Sequence, residues 1–208
     1  MSKNGNKKTT GAGKIRQLFL IAMLGAVATI LMLFEIQLPF LAPPFYELDF
    51  SEVPVLIGAF ALGPVSGVLI ELVKVLLNLL INGTITAGVG ELGNFLIGCS
   101  FILPASLIYH RKKDKKHAMI GMVIGTVFMA VAGCVINAYV LLPAYSAGLG
   151  IPMETLVGMG TAINPAITSI LTFVVLAVAP FNLLKGIVVS VLTLLLYKRI
   201  SGLIKSHH

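Results

Sequence analysis

Long apolar runs separated by short polar interruptions make up most of the chain. They fall at about 16–35, 53–62, 64–82, 91–109, 118–142 and 180–200, with a further apolar stretch at 153–178. Most match the length an α-helix needs to cross a hydrocarbon core about 30 Å thick. Ten-residue segments that alternate apolar and polar positions do not occur, which argues against a transmembrane barrel. The pattern predicts an all-α polytopic membrane protein, one compact bundle over 15–208 behind a polar tail at 1–14. The run 53–62 is short, and Gly63-Pro64 parts it from the next helix in a tight hairpin.

Charge placement sets the expected topology. Thirteen of the fifteen basic residues lie at the N-terminus (Lys3, Lys7, Lys8, Lys14, Arg16), in the cluster Arg111, Lys112, Lys113, Lys115 and Lys116, or at the C-terminus (Lys198, Arg199, Lys205). Basic clusters mark cytoplasmic ends. The 111–116 cluster must then follow an even number of crossings, and so must the C-terminus. Six transmembrane helices with both termini cytoplasmic satisfy that parity, and a seventh span at 153–178 breaks it. The loops 36–52, 83–90 and 143–178 are therefore expected outside, the last as an excursion that partly re-enters or packs on the bundle. Glu35, Glu47, Asp49, Glu52, Glu91 and Glu154 fall on the outer side in this scheme, and Asp114 on the inner.

Composition agrees: 57% of the 208 residues are hydrophobic and 11% are charged, against about 25% in soluble domains. The first apolar run is long enough to span, so no cleaved signal peptide is expected. His207 and His208 read as a tag remnant. Cys99 and Cys134 sit in apolar runs without a CxxC or Cys/His pattern and read as small core residues. The basic clusters lack the motifs of nucleic-acid binding. Metal-ligand spacing, a serine with a nearby base and a GxxxxGK[ST] loop are all missing. The chain reads as neither an enzyme nor an ATPase, and a transporter built from it draws energy from an ion gradient or a partner.

The two remaining basic residues, Lys74 and Lys185, lie inside apolar runs. Lys185 stands roughly 20 Å along a helix from the Tyr197-Lys198-Arg199 anchor. A charge at that depth faces a partner or a cavity rather than lipid. Asn182 is three residues away on the same helix face. Asn137 lies near the outer end of the fifth run, and Glu91 and Asn94 share a face after the glycine-rich turn of 82–98. Each has a bland alternative: capping for Glu91, interhelical packing for the asparagines. Their convergence at similar depth, with a lysine, favours a site. Glu71 and Lys74 read instead as a neutralised pair inside the bundle. Gly88, Gly90 and Gly93 spell GxGxxG, but no βαβ unit surrounds it. Asn82-Gly83-Thr84 fits a glycosylation sequon, to which we give no weight. Loop one, PFLAPPFYELDFSEVP, is stiffened by prolines and suits a fixed lid. The first helix carries Ala22 and Ala26, with Gly25 and Thr29 in an overlapping register; such small-residue faces serve internal packing or a partner helix.

Three segments, PPFYELDFSEVPVLIGAFALGPVSGVLIELVKVLLN, GVGELGNFLIG and PFNLLKG, together resemble the riboflavin-specific S component of energy-coupling factor (ECF) transporters. The resemblance runs from about residue 15 to the C-terminus, although 143–165 matches no motif. It implies a six-helix protein of the bacterial inner membrane that captures riboflavin from outside under its first loop. Delivery to the cytoplasm then takes a transmembrane coupling subunit and two ATPases. The family's small-residue contact with the coupling subunit maps to Ala22 and Ala26, and its flavin contacts to Asn182 and Lys185, with Asn137 as the fifth-helix asparagine. The chemistry is compatible. Amide and ammonium groups complement the flavin pyrimidine edge, and Asp49, Glu91 or Asn94 suit ribityl hydroxyls. Leu48, Phe50 and Tyr139 are candidates for an apolar slot around the dimethylbenzene end. Lys185 is then expected to have an acidic neighbour. No cofactor beyond the transported ligand is implied. The rival readings are a carrier of another vitamin, such as a biotin-like anion, and a membrane scaffold or ion-conducting protein.

Overall fold

A computed structural model describes residues 11–84 and 86–205, with side chains to residue 196. The tail to residue 10, including Lys3, Lys7 and Lys8, and the terminal His207 and His208 lie outside the described residues.

The first helix, α1, runs Gly11–Met32 and so begins within the expected tail. Loop one follows and contains a short antiparallel ladder of β1 (Ile36–Gln37) and β2 (Glu47–Leu48), with Ile36 opposite Leu48. Helix α2 (Glu52–Leu62) meets α3 (Pro64–Asn82) at Gly63, whose φ of 107° is open to glycine and strained for other residues. Pro64 occupies the first turn of α3, where no amide hydrogen is required. Helix α4 (Val89–Arg111) follows the glycine-rich turn. Helix α5 (Lys115–Ile136) starts at Asp114, whose carboxylate accepts the His117 amide at 2.7 Å.

Among the described residues five helices are long and apolar enough to cross a membrane, and α2 is a shorter apolar helix. Between them the packing is close. A Cβ on Gly121 would lie 2.5 Å from the Ala105 carbonyl oxygen, and one on Gly125 2.6 Å from that of Phe101. These two glycines let α5 lie directly on the α4 backbone, which suits a setting where apolar burial gives no drive between helices and van der Waals contact must hold them. Outward-facing residues such as Phe19, Leu80, Val123 and Leu195 are more than half exposed and form the apolar outer surface.

The segment 143–178 differs from expectation. It is divided among three elements rather than forming one excursion. After α5 the chain passes through a π-helical segment, Asn137–Leu141, and continues as α6 (Leu142–Leu149), making one helix of 35 residues. Helix α7, Met153–Thr161, is only 9 residues long, too short to cross the bilayer. Helix α8 (Ile170–Phe173) then enters a second π-helical segment, Val174–Val178, and runs into α9, Ala179–Lys205. Hydropathy alone missed both continuations because Pro143 and Pro180, which break most helices, sit beside the π-helical segments, where the wider turn relieves the missing amide bonds.

Candidate functional site

At the end of the bundle where loop one folds back, the helices part around a cavity of about 580 Å³. Its polar wall starts with Lys185. The ammonium donates to Asp49 Oδ2 at 2.8 Å, and both side chains are almost wholly buried. The second Asp49 oxygen accepts the Ser51 amide at 2.7 Å and the Ser51 hydroxyl as well. A loop residue is thereby fastened to the middle of the last helix.

Asn182 and Asn137 sit next to this pair, 3% and 0% exposed. The Asn182 amide donates to the Val178 carbonyl at 3.0 Å, and the Asn137 amide to that of Gly133 at 2.8 Å. Val178 is the last residue of the second π-helical segment, and Gly133 lies in the last turns of α5. Asn137 Oδ1 in turn accepts the Tyr46 hydroxyl from loop one. The absence of a side chain on Gly133 makes room for Asn182, since a Cβ there would lie 2.6 Å from Asn182 Nδ2.

Beneath lies a second buried ionic group. Lys74 contacts Glu52 at 2.8 Å and Glu71 at 2.7 Å and donates to Asn94 Oδ1 at 2.9 Å. The expected Glu71–Lys74 pair is therefore a triad, and Glu52 is drawn from the loop into the bundle as the first residue of α2. Gly98 faces this group; a Cβ there would be 2.5 Å from Glu71 Oε1.

At the outer rim, Glu91 accepts the hydroxyls of Thr84 and Thr86, each at 3.1 Å. It ties the glycine-rich turn to α4 instead of capping the helix. Glu47 accepts the Gln37 amide at 3.1 Å across the ladder. Glu35 stands exposed at the rim, and lost hydration there together with a hydrogen bond to Glu47 and its negative charge pushes its carboxyl up to about 8.

Asp49, Glu91, Asn94, Asn137, Asn182 and Lys185 all line the cavity. The three apolar candidates do not. Tyr139 points away and is 79% exposed, because it lies two residues beyond Asn137 on the opposite side of the helix. Leu48 packs under the lid with Ala42 and Phe181, and Phe50 is half-buried outside the cavity lining. The apolar wall is supplied instead by Phe45, Tyr46, Tyr145 and Phe181. Tyr46 is central, with ring centroids 4.8 Å from Phe45 and 5.6 Å from Phe181. These three rings belong to motifs read for other residues, PPFYELDF and PFNLLKG, and the adjacent Phe45 and Tyr46 in the first and Phe181 in the second were the available clue. On α1, Gly25 and Thr29 face inward, where a Cβ on Gly25 would meet Val73 at 2.5 Å. Ala22 and Ala26 face outward.

A helical multi-pass membrane protein with a cavity lined by both polar and aromatic side chains is built to hold a small molecule. Residues 16–197 match the profile of the family described as "ECF transporter, substrate-specific component", and the chain belongs to that family. It is 37% identical over 202 residues to "Riboflavin transporter RibU" of Staphylococcus aureus (strain TCH60), an alignment spanning 97% of this chain and 98% of that one. It is 31% identical to "Riboflavin transporter FmnP" of Bacillus subtilis (strain 168), over 88% of this chain and 91% of the other. The fold is similar to a solved structure described as the S component of a bacterial ECF transporter, with a TM-score of 0.72 and 38% identity over 92% of this chain and 99% of that one. The protein is a transport component and not an enzyme.

Proposed function

We propose that this chain captures riboflavin from the outer side of a bacterial inner membrane and hands it to an ATP-driven coupling module for release inside. The observation that carries the reading is the cavity itself. Amide and ammonium groups of Asn137, Asn182 and Lys185 line it together with the rings of Phe45, Tyr46 and Phe181. A flat ring system with a polar pyrimidine edge and an apolar dimethylbenzene edge finds partners for both edges in that lining. Relatives named as riboflavin transporters support the choice of ligand.

In this reading α2 is the sixth crossing, both termini are cytoplasmic, and loops 36–52 and 83–90 with α7 face outward. The exposed Ala22 and Ala26 surface of α1 meets the transmembrane coupling subunit, which works with two ATPase subunits. A biotin-like anion fits less well, because Lys185 is already neutralised by Asp49. An ion-conducting role fits less well too, because the polar residues gather at one end of the bundle rather than along full spans.

The visible absorption spectrum of the purified chain, followed by titration with riboflavin and readout of flavin fluorescence quenching, tests the proposal. Retained flavin bands or saturable quenching, weakened in Lys185→Ala and Asn182→Ala, is the expected result. A colourless protein that does not quench riboflavin overturns it.

A further inference from the structure

Loop one leaves α1 in an alternating pattern, Phe34-Glu35-Ile36-Gln37. Glu35 and Gln37 line the cavity, and Gln37 donates to Glu47 across the ladder. Phe34 and Ile36 lie outside that lining and are 66% and 45% exposed. Successive side chains of an extended strand point to opposite faces, so the polar pair turns inward and the apolar pair outward. In water the opposite arrangement is the stable one. Farther along, Phe40 is 75% exposed, while its sequence neighbours Leu38, Leu41 and Ala42 pack in the cluster of Phe181.

Two helix registers give the depth of this outward face. Thr29 of α1 donates to the Lys74 carbonyl of α3 at 3.3 Å, which places the two residues level. Both helices run toward the cavity, since Met32 and Asn82 line it. Phe34 then lies about 7 Å beyond that level, and Leu80 about 9 Å. Leu80 and Ile81 are 80% and 61% exposed. They close a spanning helix of 19 residues, which at about 28 Å needs its whole length to cover a core about 30 Å thick. Leu80 and Ile81 therefore face acyl chains, and Phe34 stands at nearly the same height. Phe181 is a second gauge. It lies about 26 Å along α9 from Lys198, so the loop residues packed on it sit within the edge of the core.

We infer that loop one is an interfacial lid: Phe34, Ile36 and Phe40 seat its outward face at the boundary between headgroups and acyl chains, in the leaflet on the cavity side. Lipid is the occupant because this face continues the exposed apolar surface of Ile30, Leu33, Leu80 and Ile81 on the flanking helices. Its inward face meanwhile packs on Phe181 and lines the cavity, so the loop is held between the bilayer and the site it covers. Lifting it draws three large apolar side chains out of lipid. The inference needs only that the chain spans a membrane, and it is independent of the ligand.

The chain has no tryptophan, so Phe40→Trp introduces a single fluorescent probe on this face. The full chain is reconstituted in phosphatidylcholine vesicles whose acyl chains carry bromine near the headgroup end or near the methyl end, with iodide tested on both sides of the membrane. Shallow bromines lie at the depth of an interfacial face, about 5–10 Å into the boundary, and are expected to remove at least about half of the emission. Deep bromines should remove less, and iodide little. Emission quenched by iodide and by neither brominated lipid puts the loop in water and overturns the inference. So does emission that no quencher reaches, which means that a second copy or another protein surface covers the face. Stronger quenching by deep than by shallow bromines overturns the interfacial placement. If Phe40→Trp does not fold, Phe34→Trp carries the probe to the same face and is read in the same way. Failure of the chain to bind riboflavin overturns the proposed function and leaves this inference standing.

Discussion

Lys185 and Asp49 are 136 residues apart in the chain and 2.8 Å apart in the fold. Removing one member of a buried pair leaves the other charge uncompensated, at a cost of about 3–5 kcal/mol. Asp49→Asn therefore lowers the thermal unfolding midpoint in detergent and weakens riboflavin binding by about a hundredfold. Adding Lys185→Met to that variant recovers part of the stability and none of the binding. Melting curves and fluorescence titrations of the three proteins check both halves.

The Lys74 triad separates stability from binding more cleanly. Lys74→Met strands Glu52 and Glu71, each at most 1% exposed, and is expected to destabilise by about 3–5 kcal/mol. Glu71→Gln leaves Lys74 with Glu52 and Asn94, so it should cost less than about 1.5 kcal/mol. Comparing the two melting points is the check, and equal losses would contradict the assignment of Lys74 as the shared partner.

Gly133→Ala places a methyl group where the Asn182 amide now lies. Overpacking of this kind costs about 1–3 kcal/mol. The larger effect is on the site: Asn182 must leave its position, and riboflavin affinity should fall at least about tenfold while the protein still folds. Gly158→Ala, where a Cβ meets nothing within 4 Å, serves as the neutral control in the same titration.

Ala22 and Ala26 lie on the exposed face of α1, and their inward neighbours Gly25 and Thr29 are buried against α3. Ala22→Leu/Ala26→Leu should leave riboflavin binding by the isolated chain unchanged within about twofold, because surface changes rarely exceed about 0.5 kcal/mol. Riboflavin uptake by cells carrying the coupling module should drop. Parallel binding and uptake assays on one variant separate capture from delivery.

Glu35 gives a pH dependence of definite sign. Its carboxyl is raised from 4.5 to about 8 in the folded chain. Between those values the folded state holds a proton that the unfolded state has lost, so the contribution of this group to stability falls as pH rises from about 4.5 to 8. Glu35→Gln removes that slope. Unfolding midpoints of both proteins at pH 5, 7 and 9 (about half-unit precision suffices) check it, and parallel profiles would exclude Glu35 as the source.

Much of this was legible in the sequence, for identifiable reasons. The apolar runs located the spanning helices because lipid demands continuous hydrophobicity. Lys185, Asn182 and Asn137 stood out because polar side chains are costly at that depth, and all three line the cavity. The acid expected beside Lys185 is Asp49. The apolar slot was misplaced for an equally physical reason: Tyr139 was assigned by its nearness in sequence to Asn137, and helix geometry turns it to the outside. Phe45 and Tyr46 pass unnoticed in a loop because only tertiary folding brings them over Phe181. The stretch 143–178 was misjudged because its prolines look like helix ends, and π-helical turns leave no pattern in hydropathy.

Those π-helical turns also set the angular phase of the last helix. Phe173 and Asn182 are nine positions apart, which in an unbroken α-helix puts them about 180° apart around the axis. The extra residue taken up over Val174–Val178 turns the relationship back by about 100°. Phe173, whose ring centroid is 6.3 Å from that of Tyr46, and Asn182, at the polar wall, then address the same side. The π-helical turn thus absorbs one extra residue in a continuous rod without turning Phe173 away from the side of Asn182, and a one-residue deletion there would leave eight positions, about 80° apart in an unbroken α-helix, so ring and amide would keep their common side.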